Sequence, residues 1–393
     1  MIIFTKTAKV ETAKTTTTKT TAKPKAKPKA KPKAKPVAKT ETAPLTDRAI
    51  DEILQTALPP SITTDRELNI NIQKLFGFES INLDTEFKME LGTYTTVPDI
   101  DNNYVFNPDL TNQIITYLRY PLHDCLWLFG HAGTGKTTAV LQVAARLGWG
   151  VQQITASNKM ESLDLIGHTT LINGSLVYEY GALSHALKYG EILLVNEIDT
   201  MSPSDLSALN DVLEGKPLTI PQNNNELIKP HKNFRMIVTA NTCGMGDNTG
   251  LYGGTRPMNQ AFLDRFRFVE VDYPTKEYKA EIIERAYHMA KTEVDKLLKF
   301  DEDLLRALQT GLENGIQQIS SPFTVRSLLK IAGLVHTAHM DIRTAVAVGY
   351  SNRLPEQERE FVTRLVNDVW GHPPVDKSIG TATDNTDDSD LVA

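Results

Sequence analysis

LWLFGHAGTGKT, residues 126 to 137, is the stretch of sequence that decides the fold of this chain. It begins with an apolar run of strand length and continues into a full match to the pattern G-x-x-x-x-G-K-[ST]. Apolar residues then recur at helical spacing, and Gly148 ends the predicted helix. The recurring residues are Val140, Val143, Ala144 and Leu147. A strand, a glycine-rich loop and a helix in this order predict a phosphate-binding P-loop.

The glycines of this loop let the backbone curl so that its N–H groups face a phosphate, and the helix N-terminus adds partial positive charge. Lys136 is expected to bridge the β- and γ-phosphates of ATP, and Thr137 is expected to ligate Mg²⁺. A glycine-rich turn without a nucleotide is the alternative, and the flanking strand and helix argue against it. The residues predicted to surround the nucleotide are Gly130, His131, Ala132, Gly133, Thr134, Gly135, Lys136, Thr137 and Thr138.

A second apolar run, Ile192 to Val195, ends at Asn196 and Glu197. Nucleotide hydrolysis needs an acidic residue at such a strand end, and Glu197 is the candidate base that polarises the attacking water. The preceding position normally holds Mg²⁺ through a water as a carboxylate. Asn196 can accept a hydrogen bond from a metal-bound water but has no charge, so weakened Mg²⁺ binding is expected. The alternative for Glu197 is a surface carboxylate at a strand end.

A third apolar run, Phe234 to Ala240, ends at Asn241, whose neutral amide can orient the water beside the γ-phosphate. Asparagine is common after strands, so its position in the order P-loop, acidic strand end, polar strand end is what makes it a candidate. Between the second and third runs, Ser202 as N-cap, Pro203 at the first position and Gly215 as terminator predict a helix.

Strand-like runs alternate with helical patterns through the middle of the chain, which predicts an α/β fold with a mostly parallel sheet. After Pro274 the strand patterns stop, and helical patterns with glycine and proline breakers predict an all-helical lid. The predicted segments are 1–46, a disordered basic tail; 47–91, a small N-terminal element; 92–274, the P-loop ATPase core; 275–372, the helical lid; and 373–393, a disordered acidic tail.

The overall composition, with 40% hydrophobic and 23% charged residues among 393, is typical of a soluble globular protein. No stretch approaches the roughly 18 to 20 apolar residues needed to span a bilayer, and the apolar start at Ile2 to Phe4 is too short for a secretory signal. Two cysteines, Cys125 and Cys243, can form neither a disulfide framework nor a four-cysteine zinc site. We therefore expect a cytoplasmic protein with no membrane partner.

The net charge of −6 is unevenly distributed along the chain. Residues 1–40 contain twelve lysines and one acidic residue, a local charge of +11, so residues 41–393 carry −17. Repeated lysine with regularly spaced proline at residues 23–35 predicts a disordered tail. This tail can be a sequence-blind arm for nucleic acid, or a solubilising spacer or interaction tail for an acidic partner.

Several motifs beyond the P-loop resemble the MoxR-like branch of the AAA+ ATPases, and most closely the CobS-type ATPase subunit of aerobic cobaltochelatase. The most specific stretch is FRMIVTANTCGMGDNTGLYGGTRPMNQAFLDRF, residues 234–266. Shorter similar runs are VPDIDNNYVFNPD at 97–109, QVAARLGW at 142–149, DLIG at 164–167 and KPHKNFR at 229–235. The resemblance extends from about residue 70 to residue 371.

The resemblance implies an AAA+ fold and a ring, usually a hexamer, with ATP and Mg²⁺ bound at the boundaries between subunits. An arginine from one protomer then reaches the γ-phosphate of its neighbour and stabilises charge that grows in the transition state. By position in LDRF, this arginine finger is Arg265. Arg267 is the nearby competitor, and an arginine that merely caps a helix end is the other alternative.

A second arginine, in the helical lid, departs from the family pattern. In the family this sensor arginine directly follows Ser-Pro, whereas here the pair at residues 321–322 is followed by Phe323, and the first arginine is Arg326. Three residues are close to one helical turn, so Arg326 can present its charge from the same face.

Two hairpins also fit this branch. The segment 168–180 predicts one around Asn173-Gly174, with strands at 169–172 and 175–180, and the segment 218–228 predicts another around residues 222–225. In the family such hairpins face the pore and couple hydrolysis to a partner or client. Ordinary surface hairpins are the alternative.

The function predicted from these features is an ATP-hydrolysing ring that remodels a partner, with the motor subunit of a cobalt chelatase-like complex as the candidate role. The family implies a partner with a metal-ion-dependent adhesion fold and a separate chelatase subunit. One alternative is a nucleic-acid-associated ATPase that uses the basic tail, although the charge of −17 on the rest of the chain repels a phosphate backbone. Another is a nucleotide-gated binding module with little turnover, which Asn196 makes conceivable.

Overall fold

The computed structural model describes residues 66–78, 86–247, 250–314 and 318–372, all within the compact unit Leu58–Ala393. Both predicted tails, 1–46 and 373–393, lie outside the described residues. Of the predicted N-terminal element at 47–91, residues 66–78 and 86–91 are described. Within these ranges no helix combines the length and the hydropathy that crossing a membrane requires.

Strands alternate with helices up to residue 270, and the described elements after that residue are helices. The strands are β1 (Arg66–Asn71), β2 (Glu86–Leu91), β3 (Cys125–Phe129), β4 (Val151–Thr155), β5 (Gly167–Ile172), β6 (Ser175–Tyr180), β7 (Ile192–Asn196), β8 (Leu218–Ile220), β9 (Glu226–Ile228), β10 (Arg235–Ala240) and β11 (Phe266–Glu270). The helices are α1 (Ile72–Phe76), α2 (Pro108–Arg119), α3 (Lys136–Leu147), α4 (Ser162–Ile166), α5 (Ala182–Tyr189), α6 (Pro203–Ser207), α7 (Asn210–Leu213), α8 (Gln260–Leu263), α9 (Lys276–Tyr287), α10 (Lys291–Asn314), α11 (Val325–His336), α12 (Ile342–Gly349) and α13 (Glu356–Trp370).

The main sheet has five parallel strands in the order β11-β3-β10-β7-β4. Because the strands are parallel, their carboxyl ends meet at one edge of the sheet, where open α/β sheets bind their ligands. Strand β10 lies between β3, which leads into the P-loop, and β7, which ends at Asn196. The predicted α/β fold with a parallel sheet is confirmed.

Burial on both faces explains why the three central strands have mostly apolar sequences. Alternate residues of β3 and β10, such as Trp127 and Val238, pack into the core on one face, and Leu126 and Ile237 pack into the core on the other. The indole of Trp127 also donates a hydrogen bond of 3.1 Å to the carbonyl of Thr242. This bond ties β3 to the segment that follows β10.

The helix after the P-loop begins and ends as its sequence predicts. Helix α3 starts at Lys136, and Gly148 closes it in the left-handed conformation, with φ of 69°. The N–H of Gly148 donates to the carbonyls of Ala144 and Ala145 in the last turn of the helix.

Both predicted hairpins are present, formed by β5 with β6 and by β8 with β9. Asn173 and Gly174 turn the first hairpin with φ of 48° and 84°, the positive values that a type I′ turn requires. The hydroxyl of Tyr180, at the end of β6, donates to Glu226 of β9 at 2.6 Å. Lys188 donates to both of these groups, at 2.8 and 2.9 Å. The two hairpins are therefore fastened to each other through Tyr180 and Glu226.

The helix predicted between Ser202 and Gly215 is divided into two short helices, α6 and α7. Ser202 is the N-cap residue of α6 and Pro203 its first residue, as predicted, although the hydroxyl of Ser202 contacts that of Ser204 and no backbone N–H. Ser207 donates its hydroxyl to the carbonyl of Pro203, four residues earlier, and such bonds compete with the helical backbone. At the break, the N–H groups of Ala208 and Leu209 bond to carbonyls three residues earlier, so the prediction of a single continuous helix was wrong.

The described residues after Pro274 are helical, as predicted, and pack around their own apolar core. Lys279 of α9 and Asp301 of α10 form a buried ion pair of 2.5 Å within this helical region. Thr324 caps α11 and lies against the P-loop. The helical lid therefore meets the P-loop at the start of α11.

Candidate functional site

At two positions of the P-loop, only glycine fits the backbone conformation and the space available. Gly130 and Gly133 have φ of 139° and 78°. A Cβ atom at Gly130 would lie 2.3 Å from the carbonyl oxygen of Val271, and one at Gly133 would lie 2.6 Å from the Cβ of Thr324. Both distances are below van der Waals contact. The loop thus passes directly beneath the end of β11 and the start of the lid.

Lys136 is the first residue of α3, and its side chain folds back over the P-loop. Its Nζ donates to the carbonyls of Gly130 and His131 at 2.7 and 2.8 Å. Burial lowers the pKa of Lys136 to about 8, against the opposing effect of the carboxylates of Asp199 and Glu197. The ammonium is therefore held beside the loop amides, where it can meet a phosphate.

Nucleotide affinity is expected to fall above about pH 8, because Lys136 needs its charge to bind phosphate and its pKa in the free protein is about 8. Phosphate raises this pKa in the complex, so affinity stays level below pH 8 and falls by up to about tenfold per pH unit above it. Calorimetric titration with a non-hydrolysable ATP analogue from pH 7 to 9.5 measures this. Lys136→Arg is the matched control, since arginine keeps its charge throughout. Equal slopes for both proteins would contradict the assignment.

Thr137 and Asn196, both predicted to hold Mg²⁺, lie in direct contact. The hydroxyl of Thr137 donates to Oδ1 of Asn196 at 2.6 Å, and the hydroxyl of Thr239 donates to the same oxygen at 3.1 Å. Mg²⁺ prefers oxygen ligands, so the side-chain oxygens of Thr137 and Asn196 fit this ion. Neither side chain carries a negative charge. Mg²⁺ would supply positive charge to the phosphates when bound.

Asn196→Asp is expected to lower the Mg²⁺ concentration that gives half-maximal activity, by roughly threefold or more, because the carboxylate adds the missing charge. The new side chain can still accept the hydroxyl bonds from Thr137 and Thr239. A Mg²⁺ titration of phosphate release measures the change, with Thr137→Ala as a control that raises the requirement. An unchanged or higher requirement in Asn196→Asp would remove this position from the metal site.

Glu197 follows β7 in a left-handed backbone conformation, with φ of 56°. A side chain other than glycine rarely takes this conformation, and such strain often accompanies a functional position. The carbonyl of Glu197 accepts the N–H and the hydroxyl of Thr200, at 3.0 and 2.9 Å. The backbone is thereby fixed while the carboxylate stays exposed beside the P-loop.

Asn241 follows β10 and is half-buried between the P-loop strand and the Glu197 strand. Its backbone N–H donates to Oδ2 of Asp199 at 3.2 Å. Sequence reasoning missed Asp199, which lies two residues after Glu197 and is completely buried. Burial raises the pKa of Asp199, and hydrogen bonds from Thr242 oppose this.

A tyrosine from a distant loop also touches the P-loop. The hydroxyl of Tyr252 lies 2.8 Å from Nδ1 of His131 and accepts the N–H of Ala132 at 3.3 Å. The ring of His131 stacks on Tyr273 at 4.8 Å. Burial, followed by the charge of Lys136, lowers the pKa of His131. Sequence reasoning missed this contact, although Tyr252 belongs to the GLYGGT run already noted.

A cavity of about 330 Å³ opens between the P-loop and the lid, and this volume is within the range of ligand pockets. Tyr278 of α9 donates to the carbonyl of Val105 at 2.6 Å beside it. Arg326, the second residue of α11, is exposed and lines this cavity together with Gly133 and Thr138. The lid arginine is thus close to the P-loop of its own chain.

Arg265 does not lie near the P-loop of its own chain. It immediately precedes β11, which runs parallel to β3, so it sits at the opposite edge of the sheet, about 16 Å by strand length from the end of β3 where the P-loop begins. Its guanidinium contacts Glu214 and the carbonyl of Ala261. Arg267 instead forms a two-pronged pair with Asp124, at 2.7 and 2.8 Å.

A P-loop after β3, polar residues at the ends of β7 and β10, and a helical lid over the loop define a nucleotide-binding protein of the P-loop class. Residues 126–266 match the family model described as AAA domain, dynein-related subfamily. The resemblance to MoxR-like AAA+ proteins that was predicted from sequence is confirmed.

The chain is similar to two curated relatives, and one solved structure was also matched. The aerobic cobaltochelatase subunit CobS of Sinorhizobium sp is 28% identical over 321 residues, covering 78% of this chain and 91% of CobS. An uncharacterized protein of Staphylococcus aureus (strain USA300) is 27% identical over 248 residues, covering 61% and 88% respectively. A crystal structure from Cytophaga hutchinsonii ATCC 33406 is 18% identical, with a TM-score of 0.34, and covers 65% of this chain and 84% of that chain.

Proposed function

We propose that this chain binds ATP with Mg²⁺ and hydrolyses it as a ring oligomer that remodels a partner. The observation that carries the proposal is the meeting of three strand ends at one edge of the sheet. These ends bring Lys136 and Thr137, then Asn196 and Glu197, and then Asn241 to one place. This combination provides a phosphate cradle, a base and a polar group for water in adjacent positions.

Each residue then has a distinct role. The amides of the P-loop and the ammonium of Lys136 bind the phosphates, and Arg326 adds charge from the lid. The exposed carboxylate of Glu197 orients a water and accepts its proton as the water attacks the γ-phosphorus. The side chain of Asn241 holds that water in line with the bond that breaks.

The ring and its partners rest on the similarity to CobS and on the position of Arg265. An arginine at the far edge of the sheet can serve a neighbour's nucleotide but not its own, and this supports a nucleotide shared between subunits. We propose the segments 92–274 and 275–372 as the core and lid of each subunit, and 47–91 as an added N-terminal element. A chelatase-type subunit and a metal-adhesion-domain protein are the proposed partners, in the cytoplasm.

A nucleotide-gated binding module is the second candidate, and Asn196 is the observation that favours it. Its Oδ1 accepts two hydroxyl bonds and contributes no charge where Mg²⁺ would bind. A protein of this kind would hold ATP and change conformation without turning it over. The nucleic-acid-associated alternative depends on residues 1–46, which lie outside the described residues.

Measuring both nucleotide binding and phosphate release separates these candidates. The purified full chain is titrated with ATP and Mg²⁺, and released phosphate is compared with that from Glu197→Gln prepared in the same way. Release well above this control, together with a ring-sized particle by light scattering, supports the proposed function. Tight ATP binding with release no greater than in the control would favour the binding module.

A further inference from the structure

Asp199 is a fully buried carboxylate whose role the site described above leaves unassigned. It lies in the short 3₁₀ turn Ile198–Thr200 that follows β7, and 0% of its surface is exposed. A buried carboxylate is costly unless hydrogen bonds compensate for the lost water. Three donors converge on its Oδ2: the N–H of Asn241 at 3.2 Å, and the N–H and the hydroxyl of Thr242 at 3.1 and 2.9 Å.

These bonds continue the connection between two strands beyond the end of their pairing. The last paired residues of β7 and β10 are Asn196 and Thr239. Beyond this pair, the segments that follow β7 and β10 are joined through the side chain of Asp199, which holds the backbone at Asn241. The position of Asn241 therefore depends on a carboxylate that lies two residues after the candidate base, Glu197.

The same turn also holds the loop that leads away from Asn241. The carbonyl of Asp199 accepts the N–H of Arg256 at 2.8 Å, near the end of that loop. At its beginning, the hydroxyl of Thr242 accepts the N–H of Gly244 at 3.3 Å. Oδ1 of Asp199 is buried and has no hydrogen-bond partner within the described ranges. All the side-chain bonds thus fall on one oxygen, as expected of a backbone clamp.

We propose that Asp199 is a positioning residue for hydrolysis, which fixes the backbone at Asn241 so that the amide of Asn241 faces the water held by Glu197. Asp199 acts through Asn241 and does not touch the nucleotide. The inference rests on the proposed function and adds a residue to the same site. It assigns to Asp199 an effect chiefly on turnover, because the phosphate cradle is formed by a separate loop. Since the carboxylate of Asp199 also raises the pKa of Lys136, affinity is compared at about pH 7, below the pKa of that lysine.

Two substitutions of Asp199 distinguish a role as a hydrogen-bond acceptor that holds the backbone from a role that requires negative charge. Asp199→Ala removes the acceptor, so kcat is expected to fall roughly tenfold or more, since small displacements of catalytic groups are costly. The Kd for an ATP analogue should stay within about threefold of wild type. Asp199→Asn keeps an oxygen acceptor for the same donors, and its kcat should stay within about threefold of wild type. An equal loss in both variants would show that the charge matters, as for a metal ligand or a base, and would overturn the inference.

A double-mutant cycle tests whether Asp199 acts through Asn241. With Asn241→Ala as background, adding Asp199→Ala should lower kcat by no more than about twofold further. Multiplied losses in the double variant, or an unchanged kcat in Asn241→Ala alone, would overturn the inference. Thermal melting and analogue binding confirm that each variant is folded.

A milder variant keeps the test decisive if Asp199→Ala does not fold. Thr242→Val removes one of the three donors and leaves both N–H bonds to Asp199. It should lower kcat a few-fold without changing Kd, and this loss should vanish in the Asn241→Ala background. Persistence of the loss in that background would count against the clamp. If the wild-type chain released no phosphate, both the proposed function and this inference would be overturned. If it released phosphate but the losses of kcat in the Asp199 and Asn241 variants were independent, this inference alone would be overturned.

Discussion

Lys136→Ala is expected to abolish nucleotide binding, with the Kd for ATP rising by about 10² or more. The ammonium lies within 2.7 and 2.8 Å of two carbonyls of the loop, inside a buried cradle in which its charge faces little competing solvent. Removing this charge leaves the phosphates with amide dipoles and a helix N-terminus alone. Fluorescence titration with a labelled ATP analogue measures the loss.

Glu197→Gln is the matched comparison, since it keeps the size of the side chain and removes the base. It should bind ATP as tightly as the wild type and lower kcat by about 10² or more, because glutamine cannot accept the proton of the attacking water. Its exposed position makes a folding defect unexpected. If Lys136→Ala and Glu197→Gln lost binding equally, the separate roles of cradle and base would both be wrong.

The fold was most predictable where the sequence pattern is local and burial is complete. Strands β3, β7 and β10 are buried on both faces and therefore appear as mostly apolar runs. In the five-residue edge strands β4 and β11 only the first residue is buried and the others alternate between half-buried and exposed, and sequence reasoning did not identify these strands. Strand order was also beyond reach, since β3 pairs with β10 across more than a hundred residues.

The site was predictable to the same extent and for the same reason. The P-loop and the strand ends are continuous in sequence, so Lys136 and Glu197 could be selected from their neighbours. Contacts between distant segments left no such pattern: Tyr252 meets His131 across 121 residues, and Asp199 meets Thr242 across 43. A buried carboxylate after Glu197 looks like any polar residue in a turn until the fold brings its donors to it.

The last expected result concerns Arg265, which we expect to act on the nucleotide of a neighbouring subunit. Arg265→Ala should bind ATP normally but be inactive as a uniform ring, with kcat lowered by roughly 10³ or more, as for other arginine fingers. Arg267→Ala is the matched control and should keep most of its turnover. Arg267 is held by both oxygens of Asp124 and stacks on Tyr117 at 5.2 Å, so it is fixed within its own subunit.

Mixing two inactive proteins decides whether the finger works between subunits. In a ring formed from equal amounts of Arg265→Ala and Lys136→Ala chains, about a quarter of the interfaces pair an intact P-loop with an intact arginine. Activity should therefore reappear on mixing, at a level that depends on the mixing ratio. Two defects in one self-contained site could never complement each other. Inactivity at every ratio, with mixed rings shown to form, would transfer the role to Arg267 or dismiss a shared site. Recovery would also require Arg265 to leave Glu214, its partner within the isolated subunit, as the ring assembles.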